Sequence, residues 1–423
     1  MSSSTSVLFR PLRLGRLEIG GRLVKTATAE TRAADDGSST RDVIAFYEPM
    51  AMAGTPLIVT GNIFVSRDGH STPRQLGVDE DDKIAGLAEL TAAVHAHGSA
   101  VIAQISHCGR QVVPPYVGRD EAVSASRVRD LSTGTKPRPF TVPEIRRIVD
   151  DFGEAARRCK EAGFDGVQIH AAHGYLIAQF LTPYTNRRDD EYGGSLENRT
   201  RLLREVHRAV RDRVGDDFPV ILKLNGSDWL PLRDGLGPDE LVEVARVMED
   251  EGVDAVEISV GHYESGFPVV RGRFWRCLRG MVGGSGRHLP WPWRIGFAVF
   301  WPLIALASNL IWRPREGFNL EYARRFKAAL SIPVLCVGGF LTRKAMEEAI
   351  DGGLCDAVSC GRAFIADPFL YRHLRTGEKG PRCVFCNGCV GRIGSQGLDC
   401  VHPEVRREKD TMLATEMARV SPR

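Results

Sequence analysis

The chain has almost no surplus charge to offer a polyanion: 56 Lys and Arg stand against 53 Asp and Glu, a formal net charge of +3 over 423 residues. A broad nucleic-acid-binding surface needs a strong basic excess, so that partner class is excluded. The first fifteen residues carry arginines and serines but no apolar core of signal-peptide length, which makes a cytoplasmic chain the expectation. No Gly-x-Gly-x-x-Gly opens a helix after a strand, so a Rossmann nucleotide site is not supported. A disulfide framework is missing too. Cys108, Cys159, Cys277, Cys336, Cys355 and Cys360 are scattered, several in apolar runs, as reduced packing cysteines are.

What the sequence does have is 43% hydrophobic residues in a regular alternation. Short β-rich runs over 22–28, 55–61, 100–106, 165–170, 218–225, 254–260, 332–338 and 356–361 alternate with amphipathic stretches such as 81–97, 141–162, 195–214 and 238–251. Thr141-Val-Pro-Glu144 reads as a capping box at one helix start. Eight strand-helix pairs, with no second domain's worth of sequence left over, predict an α/β fold of the (β/α)8 TIM-barrel class over 1–374. It carries an insertion over 265–316 after the sixth strand and a short cysteine-rich segment over 375–423.

In such a barrel, chemistry gathers at the carboxyl ends of the strands. The fourth strand ends in His170, and His173 and Tyr175 follow within five residues, so two imidazoles and a phenol can converge above it to polarise a carbonyl and supply a proton. A lone His or Tyr at a strand end is more often a packing residue, and zinc ligation by the pair lacks an acidic or cysteine partner nearby. Gln104 in the third strand can both donate and accept, as an amide-like ring edge requires. Lys223 in the fifth is flanked by Ile221, Leu222 and Leu224; pointing inward it needs an anion, and the alternative is that it faces outward between helices. Gly338-Gly339 after strand seven and Gly361-Arg362 after strand eight occupy the loops where barrels commonly hold phosphate groups.

The run His170-Ala-Ala-His173-Gly-Tyr175-Leu, then Phe180-Leu-Thr-Pro183, Asn186-Arg-Arg-Asp-Asp-Glu-Tyr-Gly-Gly-Ser195 and Glu197-Asn-Arg199, resembles the Old Yellow Enzyme family of flavin-dependent NAD(P)H oxidoreductases. Ile105-Ser-His-Cys-Gly-Arg-Gln111 and Gly361-Arg-Ala-Phe-Ile-Ala-Asp-Pro368 extend the likeness to roughly residues 8–374. The resemblance implies an FMN-containing barrel that uses NADH or NADPH and reduces an activated carbon–carbon double bond. It implies Thr26, Ala27, Gly61, Gln104 and Lys223 around the flavin ring, and Gly338, Gly339, Gly361 and Arg362 at its phosphate. His170 and His173 would hold the substrate oxygen, with Tyr175 the proton donor. The same flavin run oxidatively, as a dehydrogenase or demethylase, and a barrel that binds without turnover are the alternatives. One departure is Ala29, where many members carry a thiol or hydroxyl near the flavin edge.

The insertion is a second departure. Residues 295–312 hold no charge, Arg287 and Arg294 precede them, Arg313 and Arg315 follow, and five of the six tryptophans lie between Trp275 and Trp312. Apolar core, arginine flanks and tryptophan rims are the composition of a membrane-contacting segment. A single crossing would part the last two strands from the first six. Two arms hinged at Pro302 would be too short to span. The reading is a peripheral segment over 291–313 that dips into one leaflet beside the barrel mouth and admits a small lipophilic substrate. The alternative is a helix packed on the barrel or on a partner subunit of a homo-oligomer. Finally, Cys383, Cys386, Cys389 and Cys400 in the pattern C-x2-C-x2-C-x10-C resemble the cluster segment of the larger iron-sulfur members, and four thiolates can hold a [4Fe-4S] cluster or a zinc ion.

Overall fold

The computed structural model describes residues 6–230, 233–266 and 268–420. Parallel strands Leu23–Lys25, Leu57–Phe64, Ala100–Ser106, Val167–Ala171, Val220–Asn225, Ala255–Ser259, Val334–Val337 and Ala357–Cys360 pair in chain order, and the last closes on the first. The expected (β/α)8 barrel is what forms. β-branched and leucine residues fill these strands because both faces are covered, the inner by the barrel's own side chains and the outer by helices. The second strand runs on to Phe64, past the expected end, through a register shift between Val59 and Asn62. Such a bulge re-aims side chains at a barrel rim.

The outer helices follow the amphipathic stretches closely: Val142–Glu161, Leu196–Val214 and Pro238–Asp250 bury one apolar stripe each. The Thr141 and Glu144 capping box is present, with the Thr141 amide donating to Glu144 Oε2 at 2.8 Å. The motif over 186–195 is scaffold. Asn186 Nδ2 donates to the carbonyls of Phe180 and Tyr192, both at 2.7 Å, and Ser195 Oγ accepts from the Asn198 amide at the next helix start.

Inside the barrel the side chains sort into two levels. At the amino end a hairpin, Leu12–Leu14 with Leu17–Ile19, plugs the bottom, and its Leu14 and Ile19 pack on Val24, Leu57, Ile102, Ile221 and Leu335. Toward the carboxyl ends the interior turns polar and charged, holding Gln104, Gln168, Lys223 and Glu257, all buried. Charges persist in such a place only when paired.

The insertion forms two helices, Trp275–Gly283 and Trp291–Ile311. The second is one continuous helix of 21 residues through Pro302, so the chain does not fold there into a hairpin. Proline removes one backbone bond, and the carbonyl left without its donor belongs to Ala298, which is exposed and has access to water. Ala305 and Ser308 are buried and Trp301 is partly buried, so a narrow stripe packs on Trp275–Gly283. The helix is long and apolar enough to cross a membrane, and only 11% of its apolar window is buried. The cysteine-rich segment ends in a further helix, Pro403–Val420, that the sequence reading leaves unassigned, since charged residues crowd its first two turns and mask any apolar period.

Candidate active site

His170 closes the fourth strand, buried, with Nδ1 accepting the Ala172 amide at 3.3 Å. That acceptor role puts the ring proton on Nε2 and leaves an N–H free to donate. His173 sits at φ +60°, its amide donating to Asn225 Oδ1 at 3.1 Å and its Nε2 2.6 Å from Ser259 Oγ. The left-handed backbone is costly for histidine and is held by neighbouring strands five and six. The two imidazole centroids lie 5.2 Å apart, and the His170 and Tyr175 rings 4.6 Å apart. All three residues that the sequence singles out therefore share one small volume.

Burial, aided by the charge of Lys223, pushes the His170 pKa down to about 3. His173 is driven well down by burial, then by His170, Lys223 and His262. Both rings are neutral hydrogen-bonding groups near pH 7. Burial first, then Tyr263, raises the Tyr175 phenol well above its ordinary value, so it holds its proton. Burial also pushes His70 and His207 to about 4. Each of these histidines takes up a proton near pH 6.5 when unfolded, so between there and its folded value the unfolded chain binds more protons. Stability should be whole above about pH 6.5 and fall as pH drops toward 4, by up to about 1.4 kcal/mol per pH unit for each histidine. Urea midpoints measured between pH 7 and pH 5 check this.

Lys223 points inward. Its Nζ donates to Glu257 Oε2 at 2.7 Å and to Thr26 Oγ1 at 2.9 Å. Burial alone would raise the Glu257 pKa, but the Lys223 charge and hydrogen bond, with Thr26 beside it, bring it below the ordinary value. Gln168 Nε2 donates to the same Glu257 oxygen at 3.1 Å, and Gln104 Nε2 donates to Gln168 Oε1 at 2.6 Å. Thr26, Gln104 and Lys223 thus belong to one network, centred on a carboxylate that sequence reasoning missed. Its signal was there: an acid in the apolar run Ala255-Val-Glu-Ile-Ser259 has to find a partner. A second buried pair lies beside it, Lys25 pushed down and Glu30 pushed up by burial, with Tyr47 donating to Glu30 at 3.0 Å. Ala27 and Ala29 are half-buried at the rim.

The glycine positions divide. Gly61 donates its amide to the Tyr47 hydroxyl at 2.7 Å, and a Cβ there would strike the Glu30 carboxylate. A Cβ on Gly361 would meet the methyls of Thr28 and Thr26 at 3.1 and 3.5 Å, so glycine keeps strands eight and one close. Gly338 accepts the Phe318 amide at 3.1 Å, and Gly339 lies at φ +72° against the Phe318 ring. Arg362 turns toward the carboxyl-terminal segment, donating to the Arg271 carbonyl at 2.8 Å and to Asn387 Oδ1, with Phe385 under its guanidinium.

The first residues of the insertion reach the same mouth. Tyr263, half-exposed, places its hydroxyl 3.3 Å from that of buried Tyr175. Glu264 pairs with Arg110 and accepts the Leu131 amide at 2.7 Å. Nothing in the local sequence points to Tyr263, because its partner lies 88 residues away.

The donor set fits the polar edge of an isoalloxazine ring: Lys223, Thr26 and Gln104 converge, and the buried Glu257 Oε1 and Ser359 Oγ have no hydrogen-bond partner of their own. The sequence profile of the NADH:flavin oxidoreductase / NADH oxidase family matches residues 7–274. The chain belongs to this family. It is 33% identical over 408 residues to an NADH oxidase of Thermoanaerobacter brockii, covering 95% of this chain and 56% of that protein. An NADPH dehydrogenase of Geobacillus thermodenitrificans is 36% identical over 368 residues, covering 86% of this chain and 92% of its own. Among solved structures, the old yellow enzyme homologue from Zymomonas mobilis superposes with a TM-score of 0.70 at 25% identity, covering 95% of this chain and 99% of the other. The chain spans little more than half the length of several of these relatives, 56%, 55% and 52% of three of them.

The four clustered cysteines line one small cavity with Arg362, Asn387 and His402, and all are free thiols. Burial raises Cys383, Cys389 and Cys400. Among the described residues, no three His, Cys, Asp or Glu stand close enough together to hold an ion in this conformation.

Proposed function

We propose that this protein reduces an activated carbon–carbon double bond of a small lipophilic enone or enoate, with NADH or NADPH as reductant. One observation carries the reading: a buried phenol that keeps its proton stands beside two neutral imidazoles at the carboxyl end of strand four. Bound FMN would supply the redox chemistry, hydride exchange between a nicotinamide and an activated alkene. The chain's residues do the rest. Thr26, Ala27, Gly61, Gln104 and Lys223 would hold the ring, and Gly338, Gly339, Gly361 and Arg362 its phosphate. His170, with its Nε2–H free, and His173 donate to the substrate oxygen as negative charge grows there. Tyr175 gives its proton to the α-carbon, and the half-exposed Tyr263 hydroxyl 3.3 Å away offers a path for replacing it from solvent. Purified protein is expected to be yellow, to bleach anaerobically with NADH or NADPH, and to recover its colour on addition of an enone. Protein that bleaches but never recovers with any alkene overturns the reaction assigned here.

Two features extend the reading. The exposed apolar face of Trp291–Ile311 stands next to the barrel mouth and seats it peripherally on a membrane, where lipophilic substrates concentrate. The four thiols around one cavity have the donor chemistry for a [4Fe-4S] or zinc centre, which requires the segment to close on the metal and the thiols to lose their protons. Iron, sulfide and zinc analysis of anaerobically purified protein is expected to find about one centre per chain; metal-free material with full flavin rejects that assignment.

A further inference from the structure

Three stretches far apart in the chain border a cavity of ≈ 760 Å³: Tyr116, the Trp275–Gly283 helix with the Ser285–His288 turn, and the run from Arg392 to Gln396. Two contacts tie these walls to the carboxyl face of the barrel. Val117, the neighbour of Tyr116, packs on the cluster of Cys108, Val112 and Tyr175, and the Thr31 hydroxyl, beyond strand one, donates to the Gln396 carbonyl at 2.7 Å. Close glycine contacts hold the walls together. A Cβ on Gly280 would lie 2.9 Å from the Gly391 carbonyl oxygen, and one on Gly394, at φ +80°, 3.0 Å from the Tyr116 hydroxyl. Glycine at both positions lets the Trp275–Gly283 helix and Tyr116 pack directly on the cysteine-rich segment.

The lining is one-sided in charge. Arg276, Arg279, Arg287 and Arg392 face the hollow, and no Asp or Glu is among its lining residues. Arginines on the barrel's outer helices are matched by carboxylates: Arg157, Arg208, Arg211 and Arg213 each make ion pairs. Those of the pocket are not. Among the described residues, Arg276, Arg279 and Arg287 make no ion pair, and Arg392 reaches Gln396 Oε1 at 3.3 Å. Cations of one sign around a concave surface focus a field that draws an anion in. A guanidinium fork matches phosphate oxygens, and four forks suit more than one phosphate group. The hollow is far larger than a phosphate needs and falls within the range of about 300–1,000 Å³ usual for small-molecule sites. One wall is aromatic, the Tyr116 and His288 rings lying with centroids 4.3 Å apart. Aromatic rings beside arginines give a base something to stack on while its phosphates are held.

We propose that this pocket binds the diphosphate of a nucleotide, its oxygens on the four guanidinium groups and its base against Tyr116 and His288. The inference is independent of the alkene chemistry proposed above. Such a diphosphate is carried by the dinucleotide reductant and equally by a separate nucleotide. Calorimetry of the full flavin-loaded chain is expected to show saturable binding of ADP, weaker binding of inorganic pyrophosphate and none of adenosine, with ADP affinity falling as salt rises. Arg279→Gln and Arg287→Gln each weaken ADP binding about tenfold. Arg279→Lys keeps the charge without the fork and falls between parent and Arg279→Gln. Flavin content and melting temperature verify the fold of each variant. Competition of ADP with NADPH during anaerobic flavin reduction, with the limiting rate unchanged, assigns the site to the reductant; ADP binding that leaves flavin reduction unaltered assigns it to a separate nucleotide. Failure of ADP and pyrophosphate to bind, arginine variants that bind ADP as the parent does, or adenosine binding as tightly as ADP overturns the site.

Discussion

Replacing Tyr175 with phenylalanine is expected to slow alkene-dependent reoxidation of the reduced protein by about 10²–10⁴-fold, while reduction by NADH or NADPH changes little. The asymmetry follows from where the phenol acts. Its ring is buried against His170 and its hydroxyl meets that of Tyr263, so phenylalanine removes the proton and almost nothing of the packing. Anaerobic stopped-flow of the two half-reactions gives the result directly. Equal slowing of both would remove Tyr175 from the proton-donor role and assign it to ring positioning.

The second large effect is on Lys223→Met. The ammonium is 3% exposed, its partner Glu257 is fully buried, and loss of one member of such a pair strands the other charge. A cost of about 3–5 kcal/mol is expected in a urea melt at pH 7, together with loss of bound flavin. The deficit has a pH signature. Without Lys223 the Glu257 carboxyl loses the charge that holds its pKa low, burial then dominates and raises it, and protonation below that raised value relieves the penalty. Variant and parent should therefore converge in stability as pH falls. Adding Glu257→Leu to Lys223→Met should restore stability, because a pair of apolar residues leaves no buried charge behind, but should not restore flavin binding. A double variant that regains both would mean that Lys223 serves the barrel and not the cofactor.

Much of this was legible in the residue order because it depends on local rules. Short runs rich in Val, Ile and Leu gave eight strands within a few residues of their observed ends, and Thr141 with Glu144 marked a helix start through a bond between neighbours. Lys223 was legible as a buried lysine, since the run Ile221-Leu-Lys-Leu224 leaves it no polar side to face. Arg362 shows the limit of the same reasoning. Position put it on the phosphate loop, but its Nη1 is bonded to the Arg271 carbonyl and Asn387, groups contributed by the insertion and the cysteine-rich segment, which leaves Nη2 and Nε for a phosphate. Pro302 shows another: a proline inside an apolar run invites a bend, yet an exposed helix loses only one bond to water at that point.

Sequence alone determined that a barrel forms, that two histidines and a tyrosine gather above its fourth strand, and that an uncharged arginine-flanked segment interrupts it after the sixth, since each is set by residues within a few positions of one another. Tertiary structure alone decided that Glu257 answers Lys223, that Tyr263 meets Tyr175, and that Arg276, Arg279, Arg287 and Arg392 surround one hollow. Glu257 and Lys223 lie 34 residues apart and Tyr263 and Tyr175 88, and only closure of the barrel and packing of its insertion bring them within a few ångströms, where charge and hydrogen bonding take effect.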